Sequence, residues 1–84
     1  MSEPDFDRLT EQIAQLRVDD VLVGAASTLA SVAYAKLTAT DLEQAKHAID
    51  VLGTLVPLLE DEAMKRDLGS ALANLQVAYA DARA

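Results

Sequence analysis

Residues 21–35 read VLVGAASTLASVAYA, an unbroken run without a single charged side chain. A helix that is apolar on nearly every side is usually covered by neighbours on more than one side. The run is shorter than the about 20 apolar residues that span a bilayer, and its glycine, serines and threonine make it less apolar than a typical span. It therefore predicts a central, buried helix over about Val21–Leu37 in an all-α protein.

Polar residues mark the breaks on both sides of this helix. Asp19 and Asp20 precede it, and either carboxylate is suited to cap its N-terminus. After the helix, Thr40 and Glu43 have the spacing of a capping box, in which each side chain bonds to the backbone N–H of the other residue. A third helix is therefore predicted to begin after Thr40.

The third helix carries two adjacent apolar stripes, which indicate two packing partners. Pro57 removes a backbone hydrogen bond, so we expect the helix to kink or end near it. Carboxylates at 60–62 suit the positive end of a helix dipole and predict a last helix over about Asp61–Asp81. The second stripe of the third helix consists of Ala48, Val51, Leu55 and Leu58.

The first residues predict an amphipathic helix over about Pro4–Arg17. Its apolar residues recur at spacings of three and four, whereas the other positions are polar or small. Residues 1–18 are accordingly interpreted as an arm that lies on a surface, either of its own chain or of a neighbour, and residues 19–84 as the helical core. The apolar stripe of the arm is Phe6, Leu9, Ile13 and Leu16.

Length and charge limit the classes of function. A chain of 84 residues forms one domain. The stability that its small core provides is marginal unless oligomerisation or very close helix packing adds to it. The net charge of −7 and the absence of a basic stripe argue against binding to nucleic acids and to anionic membranes. The acidic start, MSEPD, does not resemble a signal peptide, so we expect a cytoplasmic protein.

One helix face collects groups that could bind a metal ion. Glu43, His47 and Asp50 follow at spacings of four and three, and two carboxylates with one imidazole are suitable divalent-metal ligands. The alternative is a solvated face opposite the apolar stripe. We favour the solvated face, because no fourth ligand stands at a recognisable spacing.

Two further groups of residues have both a functional and a structural interpretation. The carboxylates at 60–62 could bind calcium, but they lack the glycine and the alternating acids of an EF-hand loop. Tyr34 and Tyr79 could face a ligand, although such rings more often pack at a core edge. No nucleophile motif or phosphate-binding glycine loop is present in the sequence. We therefore expect no enzyme activity, no metal and no cofactor.

An uncharged helix before an Asp-Leu start is one part of a pattern that covers about residues 21–80. The other residues of the pattern are Asp41, Leu42, Ala45, Ile49, Asp50, Leu52, Leu55, Leu72, Leu75 and Tyr79. In these residues the chain resembles a family of small uncharacterised bacterial proteins, the domain of unknown function 1844. The resemblance implies a small helical fold and assigns no activity.

These observations predict a three-helix core with an additional N-terminal amphipathic helix, completed by dimerisation. Since a lone three-helix bundle leaves part of this apolar surface in water, we expect a symmetric homodimer that acts as a structural or interaction module. The alternative is an adaptor whose groove binds a partner helix or a small apolar ligand. The predicted interface residues are Val21, Leu22, Ala25, Ala26, Leu29, Val32, Ala33, Leu55 and Leu58.

Overall fold

All regular structure in residues 3–84, the part of the chain that the computed structural model describes, is helical. Met1 and Ser2, at the start of the predicted arm, lie outside the described residues. This result confirms the predicted all-α class. The elements are α1 (Glu3–Ala14), α2 (Val18–Thr38), α3 (Leu42–Leu55), a short 3-10 helix (Val56–Leu58) and α4 (Glu62–Arg83).

Helices α2, α3 and α4 pack against one another around a small core. Leu52, on α3, is the largest fully buried side chain of the described residues. Helix α2 contributes alanines to this core, and their small side chains allow the neighbouring helices to approach closely. The buried cluster consists of Ala26, Ala33, Ala48, Ile49, Leu52, Val56 and Leu75.

Pro57 ends α3, as the sequence predicts. The α-helix stops at Leu55, and the chain tightens into the 3-10 helix that contains Pro57. The backbone N–H of Leu59 donates to the carbonyl of Val56 at 3.2 Å, which closes this turn. Leu59 itself is buried, so the proline directs the chain back into the core before α4 begins.

Helix α1 extends from this core as an arm. Phe6 is 62% exposed, and Leu9 and Ile13 of its apolar stripe are also exposed. The helix ends at Ala14, earlier than predicted, so the exposed Leu16 lies in the turn that follows it. The longest dimension of the molecule is 56 Å, whereas the 22 residues of α4 account for only about 33 Å at 1.5 Å per residue. Its radius of gyration of 16.3 Å exceeds the about 12 Å typical of a compact chain of this length.

The turn between α2 and α3 differs from the predicted capping box. Asp41, rather than Thr40, is the N-cap of α3, and its carboxylate accepts the backbone N–H of Gln44 at 3.3 Å. Thr40 instead closes α2 in a left-handed conformation with φ of 57°. The N–H groups of Thr40 and Asp41 donate to the carbonyls of Leu37 and Lys36, the pattern of a Schellman motif. The prediction of Thr40 as a cap was therefore wrong by one residue.

Replacing Thr40 with glycine is expected to stabilise the fold by about 1 kcal/mol, because a β-branched residue is strained in the left-handed region and glycine is not. Urea unfolding at a fixed protein concentration measures the effect. Thr38→Gly is the matched control and is expected to destabilise, since Thr38 lies in the regular last turn of α2. Equal destabilisation by the two substitutions would contradict the left-handed assignment.

Candidate self-association surface

A buried carboxylate ties the start of α2 to the start of α4. Asp19 is only 7% exposed. Its Oδ2 accepts the backbone N–H of Asp61 at 2.9 Å, and its Oδ1 accepts that of Glu60 at 3.1 Å. These N–H groups stand at the N-terminus of α4, where no preceding helical turn supplies acceptors. The N-termini of α2 and α4 therefore lie side by side, and the two helices run in the same direction.

Hydrogen bonding lowers the pKa of Asp19. The backbone N–H groups of Glu60 and Asp61 are the main cause, and the positive charges of Arg17 and Lys65 add to it, whereas burial opposes the shift. Because all three hydrogen bonds at this carboxylate favour its ionised form, the link between the helices is strongest when Asp19 is charged.

Neither Asp19 nor Asp20 is the N-cap of α2, because the helix begins at Val18 and Arg17 is its N-cap. Asp20, in the first turn, still contributes to the cap, since its carboxylate accepts the backbone N–H of Arg17 at 3.4 Å, as in a capping box. Asp19 points to α4 instead, so its role is tertiary rather than local.

Helix α2 presents a second apolar surface along one flank of its buried side. Its members follow one another at spacings of three and four, so they share one helix face. All five are exposed, with Val21 at 57% and Val32 at 40%. We call this surface the outer face of α2, and it consists of Val18, Val21, Ala25, Thr28 and Val32.

The one hydroxyl on the outer face is satisfied within the helix. Thr28 Oγ1 donates to the carbonyl of Gly24 at 3.0 Å. The hydroxyl has a partner in the same helix, so covering this threonine would not leave its donor unpaired. The outer face can therefore be covered by another apolar surface along its whole length.

The structure distributes the nine predicted interface residues over three environments. Ala26 and Ala33 are buried inside the subunit, where a partner cannot contact them, and Leu22, Leu29 and Leu55 are partly buried. The four exposed residues are Val21, Ala25, Val32 and Leu58. Three of these four lie on the outer face. The prediction omitted Val18 and Thr28, which the regular three-and-four spacing through Val21, Ala25 and Val32 could have identified.

A shallow groove runs between α2 and α4, on the opposite flank of α2 from the outer face. Tyr34 stands at its edge and is 69% exposed, so the prediction that its ring packs at the core edge was wrong. An exposed aromatic ring next to small side chains is typical of a contact for another protein. The groove is lined by Ala30, Ser31, Tyr34, Ala71, Asn74 and Leu75.

The proposed metal face on α3 is solvated. Glu43, His47 and Asp50 are all exposed, and Lys46 Nζ donates to Asp50 Oδ2 at 2.8 Å. This hydrogen bond raises the pKa of Lys46 and places a positive charge beside the carboxylate that a cation would need. Among the described residues, no group of three or more His, Asp or Glu is arranged to hold a metal ion.

The carboxylates at 60–62 act at the start of α4. Asp61 is the N-cap and accepts the backbone N–H of Met64 at 3.0 Å, and Glu62 pairs with Lys65 at 3.7 Å. Tyr79 is partly buried against the core, with the Arg83 guanidinium 5.9 Å from its ring centre. The structural interpretation of Tyr79 is therefore confirmed.

Helix α2 is long and apolar enough to cross a membrane, judged by length and composition alone. The helix has 21 residues and is longer than the uncharged run at 21–35. The argument that this run is too short to span a bilayer therefore does not apply to the whole helix. Only 11% of its most apolar window is buried, which is unusually low for the core helix of a soluble protein. The outer face accounts for much of this exposure.

Compared with models of protein families, with curated proteins and with solved structures, the chain matches none of them. The resemblance to the domain of unknown function 1844 stays a prediction.

Replacing Asp19 with asparagine is expected to lower the urea midpoint at neutral pH, because the amide cannot supply two charged acceptors to the N–H groups of Glu60 and Asp61.

The folded-state pKa of Asp19 lies below the about 3.9 of an unfolded chain. Its stabilising contribution is therefore complete above that value and is lost as the pH falls through the folded-state pKa. The difference between the parent and Asp19→Asn should shrink at acidic pH. Asp20→Asn is the control, and equal midpoints for the two variants at neutral pH would contradict the assigned link.

Proposed function

We propose that the protein is a self-association module, a cytoplasmic homodimer whose subunits join through the outer face of α2. Its role is structural, with no catalytic step of its own. The observation that carries this proposal is the outer face itself, a row of five exposed, uncharged side chains along α2. Contiguous apolar surfaces on soluble proteins usually mark interaction sites.

The exposed area supports a protein partner of substantial size. The chain has an accessible surface of 5989 Å², whereas a compact monomer of 9.0 kDa has about 4,900 Å². The excess is comparable to the roughly 800 Å² that each partner buries in a stable interface. A second copy of the chain is the simplest occupant, because a two-fold axis brings the same surface from both subunits together.

Charge favours an antiparallel arrangement of the two α2 helices. The exposed Asp20 lies at the N-terminal end of α2, and Lys36 lies in its last turn. Antiparallel pairing brings Asp20 of each subunit towards Lys36 of the other and also opposes the helix dipoles favourably. Parallel pairing would instead place Asp20 next to its own copy.

The groove between α2 and α4 gives a second candidate, an adaptor that binds a helix. Its small lining residues and the exposed Tyr34 fit the apolar stripe of an amphipathic helix. In this alternative the chain is a monomer until a helical ligand occupies the groove.

Val21→Asp and Val32→Asp are each expected to raise the dimer dissociation constant roughly tenfold or more, because a charge replaces an apolar side chain at the interface. Light scattering coupled to size exclusion over a dilution series measures this change. Val77→Asp is the matched control, since Val77 is 61% exposed on α4 and lies outside the outer face. It should leave the dissociation constant unchanged.

An equal effect of the substitutions at Val21, Val32 and Val77 would contradict the outer face as the interface. Circular dichroism of each variant is expected to show that the helices are retained, because all three positions are solvent-exposed in the subunit.

A further inference from the structure

The apolar stripe of α1 has no cover in the extended position of the arm. Phe6, Leu9 and Ile13 are all exposed, although they share one face of the helix. A helix of 12 residues gains little stability from its own hydrogen bonds, so packing against another surface is its main source of stability. A surface that fits this stripe is apolar and at least about 10 Å long, the rise over seven helical residues.

The outer face of α2 repeats the stripe of α1 as a mirror image about Arg17. Counted backwards from Arg17, the stripe stands at the first, fourth, eighth and eleventh residues. Counted forwards, the outer face stands at the same four distances, and Val32 extends it. When two helices fold back on each other, residues at equal distances from the turn lie level with one another. The mirrored pairs are Leu16 with Val18, Ile13 with Val21, Leu9 with Ala25, and Phe6 with Thr28.

The sizes of the mirrored side chains are complementary. In this register Leu9 stands opposite Ala25, and large residues facing small ones allow two helices to pack closely. A Cβ placed on Gly24, next to this row, meets nothing within 4 Å, so the surface of α2 is open to a close approach. Because residues 21–35 carry no charge, an arm lying on them buries no ionised group of α2.

The segment between the two helices is suited to act as a hinge. Residues 15–17 join α1 to α2, and a connection of about two to five residues is sufficient for an antiparallel helix pair. The backbone N–H of Leu16 donates to the carbonyl of Ile13 in α1, whereas the carbonyl of Arg17 accepts N–H groups of α2. In the part of the chain that is described, no backbone hydrogen bond crosses from one side of the Leu16–Arg17 link to the other. Rotation at this link therefore breaks none.

We infer that α1 folds back over the outer face of α2 in its own chain, as a strap that competes with self-association. The inference rests on the proposed homodimer and assigns its regulation to the arm. The extended arm is the open form, in which a second copy can reach the outer face. The closed arm covers this face from Val18 to Thr28 and stops short of Val32. Closure and dimerisation exclude each other, because both use the same side chains.

Opening the strap is expected to strengthen the dimer. Leu9→Glu places a charge on the stripe of α1 and leaves α2 unchanged, so the dimer dissociation constant should fall several-fold. Gln15→Glu is the matched control, because it adds the same charge outside the stripe, and both positions are exposed. Light scattering coupled to size exclusion over a dilution series compares both variants with the parent. Added negative charge on a chain of net charge −7 would by itself weaken association, so a tighter dimer is specific to release of the strap.

Cysteine cross-linking locks the strap, and the chain contains no cysteine that would interfere. The variant carrying Leu9→Cys and Ala25→Cys is oxidised at low protein concentration and analysed by non-reducing electrophoresis and peptide mass mapping. The expected result is a bond within one chain and a monomer that dimerises again on reduction. The control pairs Glu11→Cys with Ala25→Cys and should form the internal bond in several-fold lower yield, because Glu11 lies on the side of α1 opposite the stripe.

Four results would overturn the strap. An unchanged or higher dissociation constant for Leu9→Glu is the first. A bond between the two copies of position 25, without an internal bond from 9 to 25, is the second, and it leaves the homodimer in place. A bond from position 9 of one chain to position 25 of the other is the third, since it indicates arms exchanged between subunits. A mass of 9.0 kDa at every concentration, for the parent and for Leu9→Glu alike, is the fourth, and it overturns the proposed homodimer as well.

Discussion

Helix α2 has two apolar faces, and the other helices of the same chain cover only one of them. The inner face, with Ala26 and Ala33, is covered by α3 and α4 and forms the core. The outer face, with Val21 and Val32, meets no other part of the described chain closely enough to be buried. Apolar surface in water favours association, at roughly 25 cal/mol for each Å² that is removed from solvent.

Asp19 determines how the core is arranged around α2. A buried carboxylate is stable only when its oxygens find donors, and here the first backbone N–H groups before α4 provide them. The bond fixes the two N-termini together, so α2 and α4 run in parallel, while α3 returns antiparallel to them along one side of the pair. The groove between α2 and α4 lies on the side of the pair that α3 does not cover.

Much of the fold could be predicted from the sequence, because its helix-forming residues and breaks are strong local signals. Pro57 stops α3, and Asp61 caps α4, close to the positions expected from the pattern. The turn at Thr40 was predicted one residue out of register, because Thr40 and Asp41 are both good capping residues and only the left-handed φ of Thr40 separates their roles.

The surface of α2 was harder to predict for a related reason. Two apolar rows run along this helix one residue apart, so Leu22, Ala26, Leu29 and Ala33 alternate with Val21, Ala25, Thr28 and Val32. Local periodicity does not say which row faces inward. The tertiary link of Asp19 decides it, and that link depends on Glu60 and Asp61, about 40 residues further along the chain. The predicted interface therefore mixed residues of both rows.

The molar mass of the unaltered chain in solution, determined by sedimentation equilibrium over a wide dilution series, tests the central claim most directly. A mass near twice 9.0 kDa that falls towards 9.0 kDa on strong dilution is the result that an uncovered outer face predicts. A mass of 9.0 kDa at every concentration would contradict it, because the outer face of α2 would then remain in water without any gain from a second copy.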